Sequence, residues 1–272
     1  MARHFAILTS SCLYGKCFSM TVIAVANQKG GSAKTTTTIQ LGAGIALLGK
    51  KVLLLDMDPQ GHVAEGFAIP ASTLEREMSI VLDNNTPISQ IIVAVRPNLD
   101  LAPSNIRLSY LEAFLFTRHR REDRLKNALR PIRNQYDFVL IDCPPSLGLL
   151  TVNALSAADR VLIPMACEFY SMLGVSLLLQ TIAEMRAEIN PELEIMGILP
   201  TRFTRTINAR EVLERTKAEL GATLHIYELA IPETVRFREA TALGRTIYEH
   251  APDSPGAEAY RKFAEEVLYG NG

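Results

Sequence analysis

Two lysines five residues apart, a hydroxyl directly after the second, two aspartates that each close an apolar run and a third two residues beyond one of them are the side chains whose spacing carries chemistry here. Lys29-Gly30-Gly31-Ser32-Ala33-Lys34-Thr35 follows Val22 to Ala26, an apolar run that reads as a buried parallel strand. The apolar-periodic stretch from Thr35 to Leu48 reads as a helix. A strand, a glycine loop and a helix N-terminus make an anion cradle. Backbone N–H groups and the positive end of the helix dipole face the anion, and a lysine adds a point charge. Gln28, Lys29, Gly30, Gly31, Ser32 and Ala33, with Lys34, Thr35 and Thr36, are the candidate phosphate-binding residues. The Thr35 hydroxyl is placed to hold a divalent cation. Asp142 ends the apolar run from Phe138 and suits the same cation; a loop or capping role is its alternative. Asp56 and Asp58 are one residue apart, so on an extended chain they point the same way. Solvated loop acids are the alternative for that pair.

These residues need a frame of alternating strands and helices, and the chain has the length for one. It has 272 residues, 48% of them hydrophobic, enough for the core of one large α/β domain. No apolar run approaches the roughly 18 residues of a membrane span. A net charge of −1 excludes a generally polycationic coat, so any nucleic-acid site must be a local patch. Cys12, Cys17, Cys143 and Cys167 lack zinc-site clustering. Residues 1–19 read as an extension outside the fold and 20–272 as a single domain.

From Met20 the pattern implies parallel βαβ units. Strands are expected at Lys51 to Asp56, Leu99 to Ala102, Phe138 to Asp142, Arg160 to Pro164 and Ile195 to Leu199. Helices are expected near Leu74 to Leu82, Ile106 to Phe116, Asp123 to Leu129, Met172 to Glu188 and Asn208 to Leu220. In the last helix Tyr260, Phe263, Ala264, Val267 and Leu268 form a core-facing stripe.

The strict phosphate-loop pattern places glycines where this chain has Gln28 and Ala33. What fits is the deviant form, Lys-Gly-Gly-x-x-Lys-[Ser/Thr]. With Asp56-Met57-Asp58-Pro59-Gln60-Gly61 after the next strand, it resembles the ParA/MinD family of dimerising ATPases. The resemblance covers about Met20 to Leu268. It implies a P-loop NTPase fold, mostly parallel sheet with helices on both faces, and it implies ATP and Mg²⁺ as cofactors. Thr35, Asp56 and Asp142 would surround the metal, and Asp58 would orient the attacking water. Lys29 would cross a homodimer interface to the partner's phosphates, and Pro232 and the segment from Pro200 to Asn208 would lie near adenine. Ala33 is tolerable there if its backbone keeps negative φ.

The family's partition members imply more: non-specific DNA binding through Arg205 and Arg236, and hydrolysis stimulated by a ParB-like or other cargo adaptor. They also imply a cytoplasmic, nucleoid-associated location with no membrane contact. Between Arg202 and Arg245 eight Lys/Arg face six Asp/Glu, so a mixed solvated surface is the alternative there. The run Arg118, Arg120, Arg121, Arg124, Lys126, Arg130 and Arg133 is a second candidate patch or a solvated helix face. A MinD-like membrane ATPase is the rival reading, but the acidic tail from Glu265 lacks a basic amphipathic helix.

Overall fold

A computed structural model of the protein describes residues 20–84, 86–168 and 171–270. The extension expected over 1–19 lies outside the described residues, as do Cys12 and Cys17. The elements run β1 Thr21–Val25, α1 Lys34–Leu47, β2 Val52–Asp56, α2 His62–Glu65, α3 Met78–Asn84, β3 Val93–Arg96, β4 Leu99–Ala102, α4 Arg107–Leu115 and α5 Arg124–Leu129. They continue with β5 Phe138–Asp142, α6 Leu149–Ala157, β6 Arg160–Ala166, α7 Ser171–Glu188, β7 Glu194–Thr201, α8 Ile207–Leu220, α9 Arg236–Ala242, α10 Ile247–His250 and α11 Pro255–Tyr269.

The strands form one sheet in the order β3-β4-β2-β5-β1-β6-β7. Every pairing is parallel except β3 with β4. The central strands are apolar throughout because both faces are covered. Val22, Leu53, Leu55, Val139 and Ile141 pack into the core under α3 to α7. Their neighbours Ile23, Val52, Leu54 and Leu140 point the other way, into the core shared with α1, α2 and α11. The period of two is therefore present, hidden because both sets of alternating residues are hydrophobic.

Several elements depart from the sequence expectation, the short helices α2, α9 and α10, which it does not contain, among them. β3 is a half-exposed antiparallel edge strand, joined to β4 through Pro97-Asn98 with Asn98 at φ 59°. α6 carries no stripe to read because eight of its nine residues are buried. The helix expected from Leu74 begins at Met78 instead. Fully buried Glu77 accepts the Ser79 N–H at 2.8 Å and sets that start.

β1 and β5 are adjacent and in register, with Val25 opposite Asp142, and β5 pairs Asp142 with Asp56 of β2. Three strand ends thus converge at one edge of the sheet, where α1 begins. In an open parallel sheet this edge, beyond the carboxyl ends of the strands, is where ligands bind.

Candidate functional site

The loop after β1 is anchored at its front by Asn27. Asn27 Nδ2 donates to the Pro164 carbonyl at 2.8 Å, and Asn27 Oδ1 accepts the Lys29 N–H at 3.0 Å. Lys34 Nζ then folds back to the Lys29 carbonyl at 3.3 Å, closing the loop over itself. A Cβ at Gly30 would project into open space. At the start of α1 there is neither a capping side chain nor an acid in the first turn, which leaves the helix's first N–H groups without side-chain acceptors.

Ala33 corrects the condition set for it: its φ is +66°, the left-handed region. An L-residue there costs about 1 kcal/mol relative to glycine. Ala33→Gly is accordingly expected to raise stability by about that amount, a rise in Tm of about 2–4 °C for a domain of this size. Differential scanning calorimetry of the ligand-free protein checks it, and a lower Tm would mean that the Ala33 methyl packs better than its backbone strain costs.

Beneath the loop, Thr35 Oγ1 donates to Asp142 Oδ2 at 2.7 Å, and Thr38 Oγ1 donates to Asp142 Oδ1 at 3.4 Å. Asp142 is fully buried, and burial pushes its carboxyl up to about 7 despite the Thr35 hydrogen bond. Asp56 is likewise held well above the usual carboxylate range, first by burial and then by the charge of Asp142. Burial lowers the Lys34 ammonium, with Asp142 opposing the shift. A cation beside the acids and an anion beside the lysine would each offset this burial. A metal–phosphate pair supplies both, so the residues present fit Mg²⁺ with a nucleotide phosphate.

Asp56 and Asp58 do not share a direction. β2 stops at Asp56, whose Oδ1 accepts the Asp58 N–H at 2.9 Å and whose Oδ2 accepts the Val63 N–H at 3.2 Å. This side-chain turn swings Asp58 into the wall of a cavity of about 560 Å³. Asp58 Oδ1 accepts the Gln60 N–H at 3.0 Å, and the Ser104 hydroxyl donates to its carbonyl.

Gly30, Gly31, Ala33, Lys34, Thr35, Thr36 and Pro232 line that cavity too. Gln28, Lys29 and Ser32 are not on its wall. The Lys29 ammonium turns to Glu168 Oε2 at 2.6 Å and the Ser171 hydroxyl at 3.1 Å. Arg205 is exposed with no ion-pair partner among the described residues, and Arg236 pairs with Glu239 at 2.9 Å. In the second basic run Arg118, Arg120 and Arg121 are paired with Asp83, Asp123 and Glu122. Cys143 and Cys167 are free, and burial raises both thiols.

Several wall residues had no assigned role in the sequence: His62, Phe237, Arg238 and Tyr260. Tyr260 belongs to the α11 stripe, and its hydroxyl lies 2.9 Å from Thr37 Oγ1. A core tyrosine at helical spacing gives no hint that one edge of its ring meets a cavity.

A parallel sheet with a self-closed glycine loop at its carboxyl edge, a lysine in the first helical turn and a hydroxyl on a buried aspartate defines a P-loop nucleotide-binding protein. Comparison with known proteins narrows the class. A family model described as an AAA domain matches residues 20–195. The sporulation initiation inhibitor protein Soj of Bacillus subtilis is 42% identical over 90% of this chain and 97% of its own length. The chromosome partitioning protein ParA of Caulobacter vibrioides is 41% identical over 91% of this chain and 93% of its own. A solved cobyrinic acid a,c-diamide synthase from Mycobacterium smegmatis, with an ATP analogue and magnesium bound, superposes with a TM-score of 0.81. It is 38% identical, covering 92% of this chain and 94% of that one. The chain belongs to the ParA/MinD family of P-loop ATPases.

Proposed function

We propose that this protein is a partition ATPase whose single domain binds ATP with Mg²⁺, dimerises on it, and holds DNA without sequence preference. Hydrolysis, slow alone and stimulated by a ParB-like or other cargo adaptor, returns the monomer and releases the DNA. The cycle runs in the cytoplasm on the nucleoid, away from membranes, and moves a plasmid or chromosome. Lys34, Thr35 and the loop N–H groups take the phosphates, and Thr35 with Asp142 and Asp56 surrounds the metal. Asp58 orients the attacking water, Pro232 flanks the base, and Arg236 with Arg205 meets DNA phosphates. Hydrolysis here times a binding switch.

The observation that carries this reading is Lys29. It belongs to the phosphate loop, yet its ammonium faces away from its own cavity toward Glu168 and Ser171. A loop lysine that does not serve its own cavity is left for the phosphates of a second copy, which it would reach by exchanging Glu168 and Ser171 for them. The name of the M. smegmatis neighbour points instead to amide formation, and that reading leaves Lys29 without a task.

Lys29→Ala tests it. Two charge-assisted contacts per dimer, about 1.5–3 kcal/mol each, are removed, so the dimer should weaken by more than about 100-fold. ATP affinity of the monomer should stay near the parent's, while light scattering shows no ATP-induced dimer and DNA no longer co-sediments. Unchanged dimerisation and DNA retention in Lys29→Ala would sink the proposal.

A further inference from the structure

The phosphate loop is gripped from outside by the end of β7. Thr201 Oγ1 donates to the Ser32 carbonyl at 3.0 Å, and Arg202 Nη1 donates to the Gly31 carbonyl at 3.3 Å. Two consecutive residues of one strand end therefore take two consecutive carbonyls of the loop. A loop that binds an anion through its N–H groups must turn its carbonyls elsewhere, and these two contacts give them a fixed destination.

The same guanidinium forks onto a second loop. Arg202 Nε donates to Glu233 Oε2 at 3.2 Å and Nη2 to Glu233 Oε1 at 3.1 Å. Glu233 directly follows Pro232, and both line the cavity with Arg202 itself. Backbone bonds reinforce the junction: Phe203 N–H donates to Ile231 O at 2.9 Å, and Glu233 N–H donates to Phe203 O at 3.0 Å. Arg202 Nη1 also lies 3.0 Å from Glu168 Oε1, whose other oxygen holds Lys29. To make these contacts Arg202 adopts φ 50°, a conformation that disfavours any residue with a Cβ. Strain of that kind persists where the surroundings over-determine it, and at a ligand cavity it marks a position under functional constraint.

We propose that Arg202 is a positioning residue for the nucleotide, a clasp that ties the phosphate loop at Gly31 to the Pro232–Glu233 loop and so fixes the span between the phosphate end and the base end of the cavity. The proposal rests on the reading of this cavity as an ATP site. Because the clasp acts through the Gly31 carbonyl and Glu233 and contacts neither Lys34 nor the residues proposed for the metal, it serves ATP and ADP alike. Its geometry is planar and forked, which an ammonium on a flexible stem does not reproduce.

The test uses fluorescent ATP and ADP analogues titrated into the full chain, with thermal melts of the ligand-free protein, for Arg202→Gly, Arg202→Lys, Glu233→Gln and the double variant Arg202→Gly/Glu233→Gln. Arg202→Gly is expected to weaken both nucleotides about fivefold, the upper range for a half-exposed ion pair. Its melting temperature should hold or rise, since glycine relieves the positive φ. Glu233→Gln should weaken binding in the same direction, and the double variant should be no weaker than Arg202→Gly, because both remove one clasp. Arg202→Lys should recover less than half of the loss. A merely structural role would lower affinity and melting temperature together. That pattern overturns the clasp, as do losses that multiply in the double variant or parent-like affinity in Arg202→Gly. If the parent itself binds neither nucleotide, the ATP reading fails and the clasp with it.

Discussion

Lys34→Ala should abolish nucleotide binding while leaving the fold intact. Lys34 is 7% exposed, sits in the first turn of α1 and lines the cavity beside Thr35. Losing one charged hydrogen bond costs about 1.5–3 kcal/mol, and phosphates left un-neutralised in a partly enclosed site cost more. The ATP Kd should therefore rise by at least about 100-fold. Misfolding is not the expected cause. The ammonium is depressed by its own burial in the ligand-free protein, so removing it relieves an unfavourable desolvation as well as deleting a counter-charge to Asp142. Calorimetric titration with ATP, beside a thermal melt, separates the two. Undiminished affinity in a folded Lys34→Ala would refute the phosphate-loop assignment.

Asp58→Ala should do the opposite, keeping ATP and losing turnover. The carboxylate lines the cavity, 8% exposed, and is held by the Gln60 N–H. Positioned acid–base groups contribute about 10²–10⁴-fold to a reaction, and a loss in that range is expected in single-turnover hydrolysis. Binding should hold or tighten, because the Asp58 charge raises the carboxyls of both Asp142 and Asp56. Its removal makes both carboxyls easier to ionise, which favours a cation beside them. The variant should accumulate as the ATP-bound species. A parent rate of hydrolysis would move the role to another acid.

The sequence discloses those parts of this site that are local. Lys29 to Thr35 are contiguous, and the phosphate chemistry expected of them follows from a strand before and a helix after. Asp142 could be placed because it closes an apolar run that can only be a buried strand. The extended geometry expected over Asp56–Asp58 fails for a local reason as well: the Asp56 side chain captures the Asp58 N–H where the strand ends, so the period of two no longer applies. Lys29 to Glu168 spans 139 residues and Arg202 to Gly31 spans 171. No periodicity or spacing reports such pairs, because they depend on which strands are neighbours in the sheet. β3 lay within reach, since Pro97-Asn98 between two short apolar runs is a turn signal. α6 did not, because a helix buried on all sides has no polar face to betray its period.

Both lateral borders of the sheet are closed to strand addition. On one side β3 runs antiparallel with an irregular register between Ala94 and Arg96, and the Arg96 guanidinium is fastened to Glu249 Oε1 at 2.6 Å and to the Gly244 carbonyl at 2.7 Å. On the other, β7 is bridged at Ile198 to Ile226, its Pro200 carbonyl accepts the Ile231 N–H at 2.8 Å, and just beyond its end Phe203 is bridged to Pro232. A bulged, charged border and a border already paired to its own chain give an incoming strand nothing to template on. At high local concentration this blocks the commonest route from ordered association to irreversible fibres. Any association of copies is then confined to loops and helix faces, while the backbone ladder stays sealed.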